Sequence, residues 1–303
     1  MKVYAIIVTY NPDPNLLFQQ YKSLENQLNG IVYVDNGSLN ISEVEKLKDG
    51  RDNVYVLRNN QNQGLGKAQN QGVNFARSLN ADYYIFFDHD SVPNDSFVNN
   101  LIEAHKALCK NGILVGAVGP SCLNSDSGSA FAIKKRSSSN YGNDQLLGII
   151  EVEFLLSSGT LVSDEALRKI GLMNETFFVD YIDSEWCCRA LSKGYKLFVN
   201  SSSVLVHKVG DKRIKFLNFN LAYHSPLRRY YLIRNNLLIF RLSYYPLRMK
   251  MTSLIKNLMR ITIMLFYSSE RLNHLKCFFY GFFDGIVGYS GEYRYFKVKS
   301  KQQ

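Results

Sequence analysis

Two aspartates one residue apart, Asp88 and Asp90, stand where the apolar run 83–87 ends. If the chain stays extended there, alternation puts both carboxylates on one side, where they repel unless a cation lies between them. Carboxylate oxygens suit Mg²⁺ or Mn²⁺, ions that commonly complete their shells with phosphate oxygens. The pair points to a metal-bound diphosphate, whereas Asp95 reads as a turn or cap residue. Three further groups could do chemistry. Asp183 opens a helical pattern over 184–193, whose Trp186, Ala190 and Leu191 share a face and which Gly194 stops; it is a base or a helix cap. His207 ends the run 203–206 and is either a metal ligand or a structural imidazole. Ser157-Ser158-Gly159 follows the apolar run 152–156, read as a strand, and no G-x-S-x-G surrounds it, so a serine nucleophile is excluded.

The elements that would position these groups alternate. Runs 3–9, 31–35, 54–57 and 84–88 read as strands, and 16–28, 42–47 and 66–79 as helices. That order predicts an α/β fold with a mainly parallel sheet and helices on both faces, and ligands bind such sheets beyond the carboxyl ends of the strands. The polar clusters Thr9-Tyr10-Asn11, Asp35-Asn36-Gly37-Ser38, Asn62-Gln63-Gly64 and Asp88-His89-Asp90 all follow strands. Four strand ends face one crevice.

Composition bounds the rest. The chain has 303 residues, 46% hydrophobic and 20% charged, which suits a globular protein and excludes collagenous or disordered classes. Its formal charge of +10 is uneven: residues 205–303 hold 18 Lys+Arg against 4 Asp+Glu, a net of +14, leaving −4 on residues 1–204. Five scattered cysteines without a C-x-x-C argue for a reducing compartment and against structural zinc. The first residues lack a signal-peptide pattern, and no run reaches the roughly 18 apolar residues of a spanning helix, so a cytoplasmic location is expected.

The motifs "VTYN" (8–11), "VDNGS" (34–38), "NQGLGKAQNQG" (62–72), "FFDHD" (86–90), "SSGTL" (157–161) and "YIDSEWCCRA" (181–190) resemble, in order, those of family 2 glycosyltransferases, inverting enzymes of the GT-A fold. Trp186, "HSPLRRYYLIRNN" (224–236) and "GFFDGIVG" (281–288) are most similar to the rhamnosyltransferase branch, which uses dTDP-L-rhamnose to build surface polysaccharides. The resemblance spans nearly the whole chain. Tyr289 departs from it, since that branch has a basic residue there.

The resemblance implies a nucleotide-sugar donor held by Thr9, Tyr10, Asn11, Asp35, Asn62, Gly64, Gly66, Asp88 and His89. It implies Mg²⁺ or Mn²⁺ on Asp88 and Asp90, with His207 as a third ligand. Asp35 has the alternative of capping its own turn, and Gly64, Gly66 and Gly72 that of plain turn and helix-entry chemistry. Inversion at the sugar needs a base on the acceptor hydroxyl, and the motif match selects Asp183. Ser158, Gly159, Glu185, Trp186, Arg229 and Arg234 are implied acceptor contacts, with Arg189 pairing a nearby carboxylate.

A catalytic domain is expected over residues 1–215, and a helical, basic region over 216–303. Basic residues among Tyr, Leu, Ile, Phe and Met from Arg228 to Arg260 suit an anionic membrane face. The acceptors of this branch ride on polyprenyl diphosphate, so a peripheral position on the inner face of the cell membrane is expected. A nucleic-acid surface would need the same charge, but no RNA or DNA module is recognisable. A homodimer contact or a plain solvated face is the remaining alternative.

Overall fold

The computed structural model describes residues 1–124, 146, 148–207, 213–216, 219–222 and 224–295. Chain order begins β1 (Val3–Thr9), α1 (Pro14–Leu24), β2 (Gly30–Asp35), α2 (Ile41–Glu45), β3 (Val54–Arg58), α3 (Leu65–Ser78) and β4 (Tyr83–Asp88). The four strands are parallel in the order β3-β2-β1-β4, with Val8 opposite both Val34 and Asp88. Along β1, Tyr4 and Ile6 pack with α3 on one face, while Val3, Ala5 and Ile7 pack with α1 on the other. Burial on both faces is why these strands read as unbroken apolar runs. Asp13 caps α1, its Oδ1 accepting from the Asn15 amide at 2.8 Å, and Pro14 opens the helix without wasting a donor.

The chain continues through β5 (Val92–Pro93), α4 (Phe97–Lys110), β6 (Val115–Asn124), β7 (Ile149–Val152), β8 (Thr160–Ser163), α5 (Asp164–Ile170), α6 (Ile182–Ser192) and β9 (Lys196–His207). Beyond β4 the sheet becomes mixed. β8 runs antiparallel between β4 and β6, β6 and β9 are parallel, and β5 and β7 both pair antiparallel with β9. The expected strand over 152–156 is absent, because β7 stops at Val152 and residues 153–156 cross toward β8. The Leu155 amide reaches the Cys187 sulfur of α6 at 3.5 Å instead of a neighbouring strand, which leaves Phe154 and Leu156 exposed.

A hairpin, β10 (Arg213–Phe216) with β11 (Phe219–Ala222), precedes α7 (Pro226–Ile239), α8 (Leu247–Tyr267) and α9 (Arg271–Val287). α9 lies close on α7: a Cβ at Gly281 would stand 2.5 Å from the Tyr230 carbonyl oxygen. Leu238, Ile239 and Tyr245 join the same buried cluster as Tyr4, Ile6 and Phe86, so the C-terminal helices share a core with the sheet. Three of the cations expected on a surface face are buried, namely Arg229, Arg234 and Lys250. Lys250 donates to the Leu242 carbonyl at 2.7 Å. Among the described residues no helix is long and apolar enough to cross a membrane.

Candidate active site

The residues expected to hold the donor lie in the loops after β1, β2 and β3. Asp35, buried at the end of β2, accepts from the Thr9 hydroxyl at 3.0 Å and from the Gly37 and Ser38 amides at 3.2 and 3.0 Å. Its carboxylate therefore caps its own turn and ties β1 to β2. Asn11, with φ 48°, donates its amide to Ser38 Oγ and accepts from the Leu39 amide, both at 2.8 Å. Asn36 gathers the third loop: its Nδ2 donates to Asn62 Oδ1, and its Oδ1 accepts from Asn59 and the Gln63 amide. Tyr10 stands exposed beside this frame.

At Gly64 and Gly66 the space a side chain would take is filled by protein backbone. A Cβ at Gly64, where φ is +87°, would meet the Phe178 carbonyl oxygen at 2.8 Å, and one at Gly66 the Asn174 carbonyl oxygen at 3.3 Å. Gly72 lets α3 settle on β1, where an added Cβ would clash with Ile6 Cγ2 at 2.5 Å. The glycines thus bring protein backbone close to protein.

Asp88 is the last residue of β4, and His89 and Asp90 form a turn, so strand alternation is not what relates the two carboxylates. Gln20 from α1 donates to the Asp88 and Ser91 carbonyls at 2.7 and 2.6 Å and holds that turn. From the other side, Ser158 Oγ accepts from the Asp88 amide at 3.1 Å and lies 2.9 Å from Ser91 Oγ. The Asp90 carboxylate makes no hydrogen bond or ion pair among the described residues. Val92 pairs with Val206, so one further step of that antiparallel register sets His207 opposite Ser91. The His207 side chain lies outside the described residues. Among those described, no group of three or more His, Cys, Asp or Glu could hold a metal ion.

Asp183 lies in the first turn of α6 but is not its cap, a place taken by Tyr181. Beneath it Phe86, Leu155, Met173 and Trp186 line a small apolar cavity of about 20 Å³. Burial first, and the negative charge of Asp88 second, push its carboxyl up to about 6, against hydrogen bonds from Ser157. Its Oδ1 is closed to solvent and accepts no hydrogen bond among the described residues. Asp183, Asp88, Ser157, Ser158, Asp180 and Arg228 all line one cleft of about 340 Å³. An ionisable oxygen with a raised proton affinity and no protein partner, beside a second carboxylate, suits proton abstraction near a diphosphate.

Against this geometry, the profile of glycosyl transferase family 2 matches residues 4–171, more than half the chain. The chain belongs to glycosyl transferase family 2. A curated relative, the dTDP-rhamnosyl transferase RfbF of Shigella flexneri, is 31% identical over 302 residues, covering 97% of this chain and 98% of the relative. Among solved structures, S. aureus TarS 1-349 in complex with UDP-GlcNAc superposes with a TM-score of 0.57 at 17% identity, over 95% of this chain and 81% of that one. GalNAc-T7 with UDP, GalNAc and Mn²⁺ gives 0.54 at 16% identity, over 89% and 58%. These structures share the GT-A fold with this chain.

Several acceptor contacts expected of a family 2 glycosyltransferase sit elsewhere. Glu185 is fully buried, bonded to Arg189 through both oxygens (2.8 and 3.0 Å) and to the Tyr244 hydroxyl. Arg189 also grips the Leu172 carbonyl at 2.8 Å, so the pair pins the turn before α6. Trp186 is core, its Nε1 donating to the Gly171 carbonyl at 2.9 Å. Gly159, at φ +79°, donates to the Phe86 carbonyl at 2.7 Å and packs on Pro120, away from the cleft. Arg234 is buried on Tyr230 and Tyr231, bonding Asn235 Oδ1 and the Gly291 carbonyl. Arg229 has no exposed surface either.

The residue from "HSPLRRYY" that does reach the cleft is Arg228, which grips Asp180 at 3.0 to 3.3 Å. Asp180 and Tyr181 both hold left-handed backbone, at φ 60° and 66°. Asn235 clamps them through the Val179 and Asp180 carbonyls at 2.7 and 3.2 Å, and Asn257 holds the Tyr181 hydroxyl at 3.1 Å. Asn36, Ser157 and Asp180 are not among the site residues read from the sequence, and Arg228 reads there as a membrane-facing cation.

Proposed function

We propose that this family 2 glycosyltransferase moves L-rhamnose from dTDP-L-rhamnose to a lipid-diphosphate-linked glycan by one inverting displacement. The observation that carries the mechanism is Asp183, a carboxylate of raised proton affinity that lines the cleft with Asp88. In this reading the Asp183 carboxylate accepts the proton of the acceptor hydroxyl as that oxygen attacks the sugar carbon and the bond to the nucleoside diphosphate breaks. Ser157 orients the carboxylate, Asp180 and Arg228 form the acceptor wall, and the loops at Thr9, Asn36 and Asn62 hold the nucleotide. The Asp90 carboxylate is uncommitted among the described residues, Asp88 precedes it by two residues, and the strand register sets the His207 backbone opposite Ser91. Two carboxylates and an imidazole are a donor set that fits Mg²⁺ or Mn²⁺. When bound, the ion would neutralise charge on the leaving diphosphate. The donor sugar is taken from the RfbF relative.

A donor screen read by product mass tests this. Supplied with dTDP-L-rhamnose and a lipid-linked glycan, the protein should release nucleoside diphosphate and add one deoxyhexose. Turnover with UDP-sugars alone would replace the donor, and no diphosphate release with any donor would make the chain a binding subunit.

We also propose that the enzyme works on the inner face of the membrane. Ile255, Met259 and Phe266 of α8 and Leu272, Phe279 and Phe283 of α9 are more than half exposed, a large apolar area on a segment of net +14. Each cation near an anionic surface adds about 1 kcal/mol of attraction. The protein should co-sediment with phosphatidylglycerol vesicles and release in high salt. Equal binding to neutral vesicles would reject the charge argument, and a concentration-dependent dimer without vesicle binding would assign the face to a second copy.

A further inference from the structure

A second cavity, of about 230 Å³, opens between the start of α6 and the face of α8. Asp180, Tyr181 and Ser184 line both it and the catalytic cleft, so the two meet at one wall. Its far side carries Lys256 and Arg260, one helical turn apart, where like charges repel. Neither forms an ion pair among the described residues. Behind them Arg229 is fully buried, and none of its three guanidinium nitrogens has a hydrogen-bond partner among the described residues. Burial, together with the charges of Arg260 and Arg228, drives its proton affinity down to about 10; Asp180 opposes this. That carboxylate is already gripped by Arg228.

Four cations and one committed carboxylate meet where α6, α7 and α8 join. An unpaired buried guanidinium is strongly unfavourable, and retaining it makes sense if a ligand supplies the missing negative charge. Phosphate is the chemistry that clustered Arg and Lys recognise, through charge-assisted and bidentate hydrogen bonds.

We infer that the pocket between α6 and α8 is a phosphate site that holds the diphosphate of the acceptor while its sugar hydroxyl reaches Asp183 across the Asp180–Ser184 wall. Lys256 and Arg260 contact the phosphate, and Arg229 contributes field from behind. The acceptor assignment rests on the function proposed above; the phosphate site itself does not.

The test is titration of the full chain with inorganic pyrophosphate in excess chelator, which silences cation-dependent binding at Asp90. Saturable binding is expected, weakened about tenfold or more by Lys256→Ala and by Arg260→Ala and unchanged by Asp90→Ala. Arg229→Met should raise the ligand-free Tm and shrink the rise that pyrophosphate produces, because the anion no longer relieves a buried charge. No binding, or binding indifferent to Arg260→Ala, overturns the site. So does loss of phosphatidylglycerol-vesicle binding in Arg260→Ala with pyrophosphate binding intact, since the cations then serve a lipid headgroup. Arg229→Met with a lowered Tm and normal pyrophosphate binding overturns the part given to Arg229. If pyrophosphate binds through Arg260 but no lipid-diphosphate glycan is glycosylated, the acceptor reading fails and the phosphate site stands.

Discussion

Asp183→Asn should lower turnover by about 10² or more while leaving donor affinity unchanged and Tm at pH 8 no lower than in the wild type. The amide keeps the size of the side chain and its bonding to Ser157 but cannot take a proton. The stability half of the prediction follows from linkage. The folded state binds the Asp183 proton more tightly than the unfolded chain does, since its carboxyl is pushed up to about 6. Ionising Asp183 therefore costs stability, up to about 3 kcal/mol, fully above pH 6 and not at all below the ordinary carboxylate range. Any gain in Tm from the variant should fade as pH falls from 6 toward 4. The wild-type rate should decline on the acid side of about pH 6 as the base becomes protonated. A near-normal rate in Asp183→Asn would remove Asp183 from the chemistry. Loss of Tm at pH 8 would make it a structural residue.

Asp90→Ala, or chelation of divalent ions, should abolish turnover, by about 10³-fold, and weaken donor binding. Stability should barely move, within about 0.5 kcal/mol, because the Asp90 carboxylate bonds to nothing among the described residues. Full activity in excess chelator would reject the metal. The contrast with Asp183→Asn lies in the donor: one variant loses its grip on the nucleotide sugar, the other only the rate.

β1 to β4 and the loops after them were easy to read in the sequence because these strands are buried on both faces and end in polar clusters. Apolar runs and their ends are local signals. The side of the cleft around Asp183 depends on pairings the sequence does not display, such as β8 lying antiparallel between β4 and β6. Residues 152–156 are apolar enough for a strand, yet Cys187 of α6 takes the amide that a ladder would need. Glu185 and Trp186 show the same blindness on a helix: the motif places them beside Asp183, but α6 turns them inward, to Arg189 and to the Gly171 carbonyl. The raised proton affinity of Asp183 comes from Phe86, Leu155 and Met173, residues far apart in sequence, so no local pattern could announce it.

The two left-handed residues ahead of α6, Asp180 and Tyr181, bear on when the enzyme becomes competent. Such conformations cost about 1–3 kcal/mol each and persist only under restraint. The restraints come from Arg228, Asn235 and Asn257, all on α7 and α8. During synthesis β1 to β9 emerge before α7 and α8. Asp183 would then hang on an unbraced loop until α7 and α8 dock. On the role proposed for Asp183, catalytic competence arrives with the last helices, which are also those that carry the exposed apolar residues.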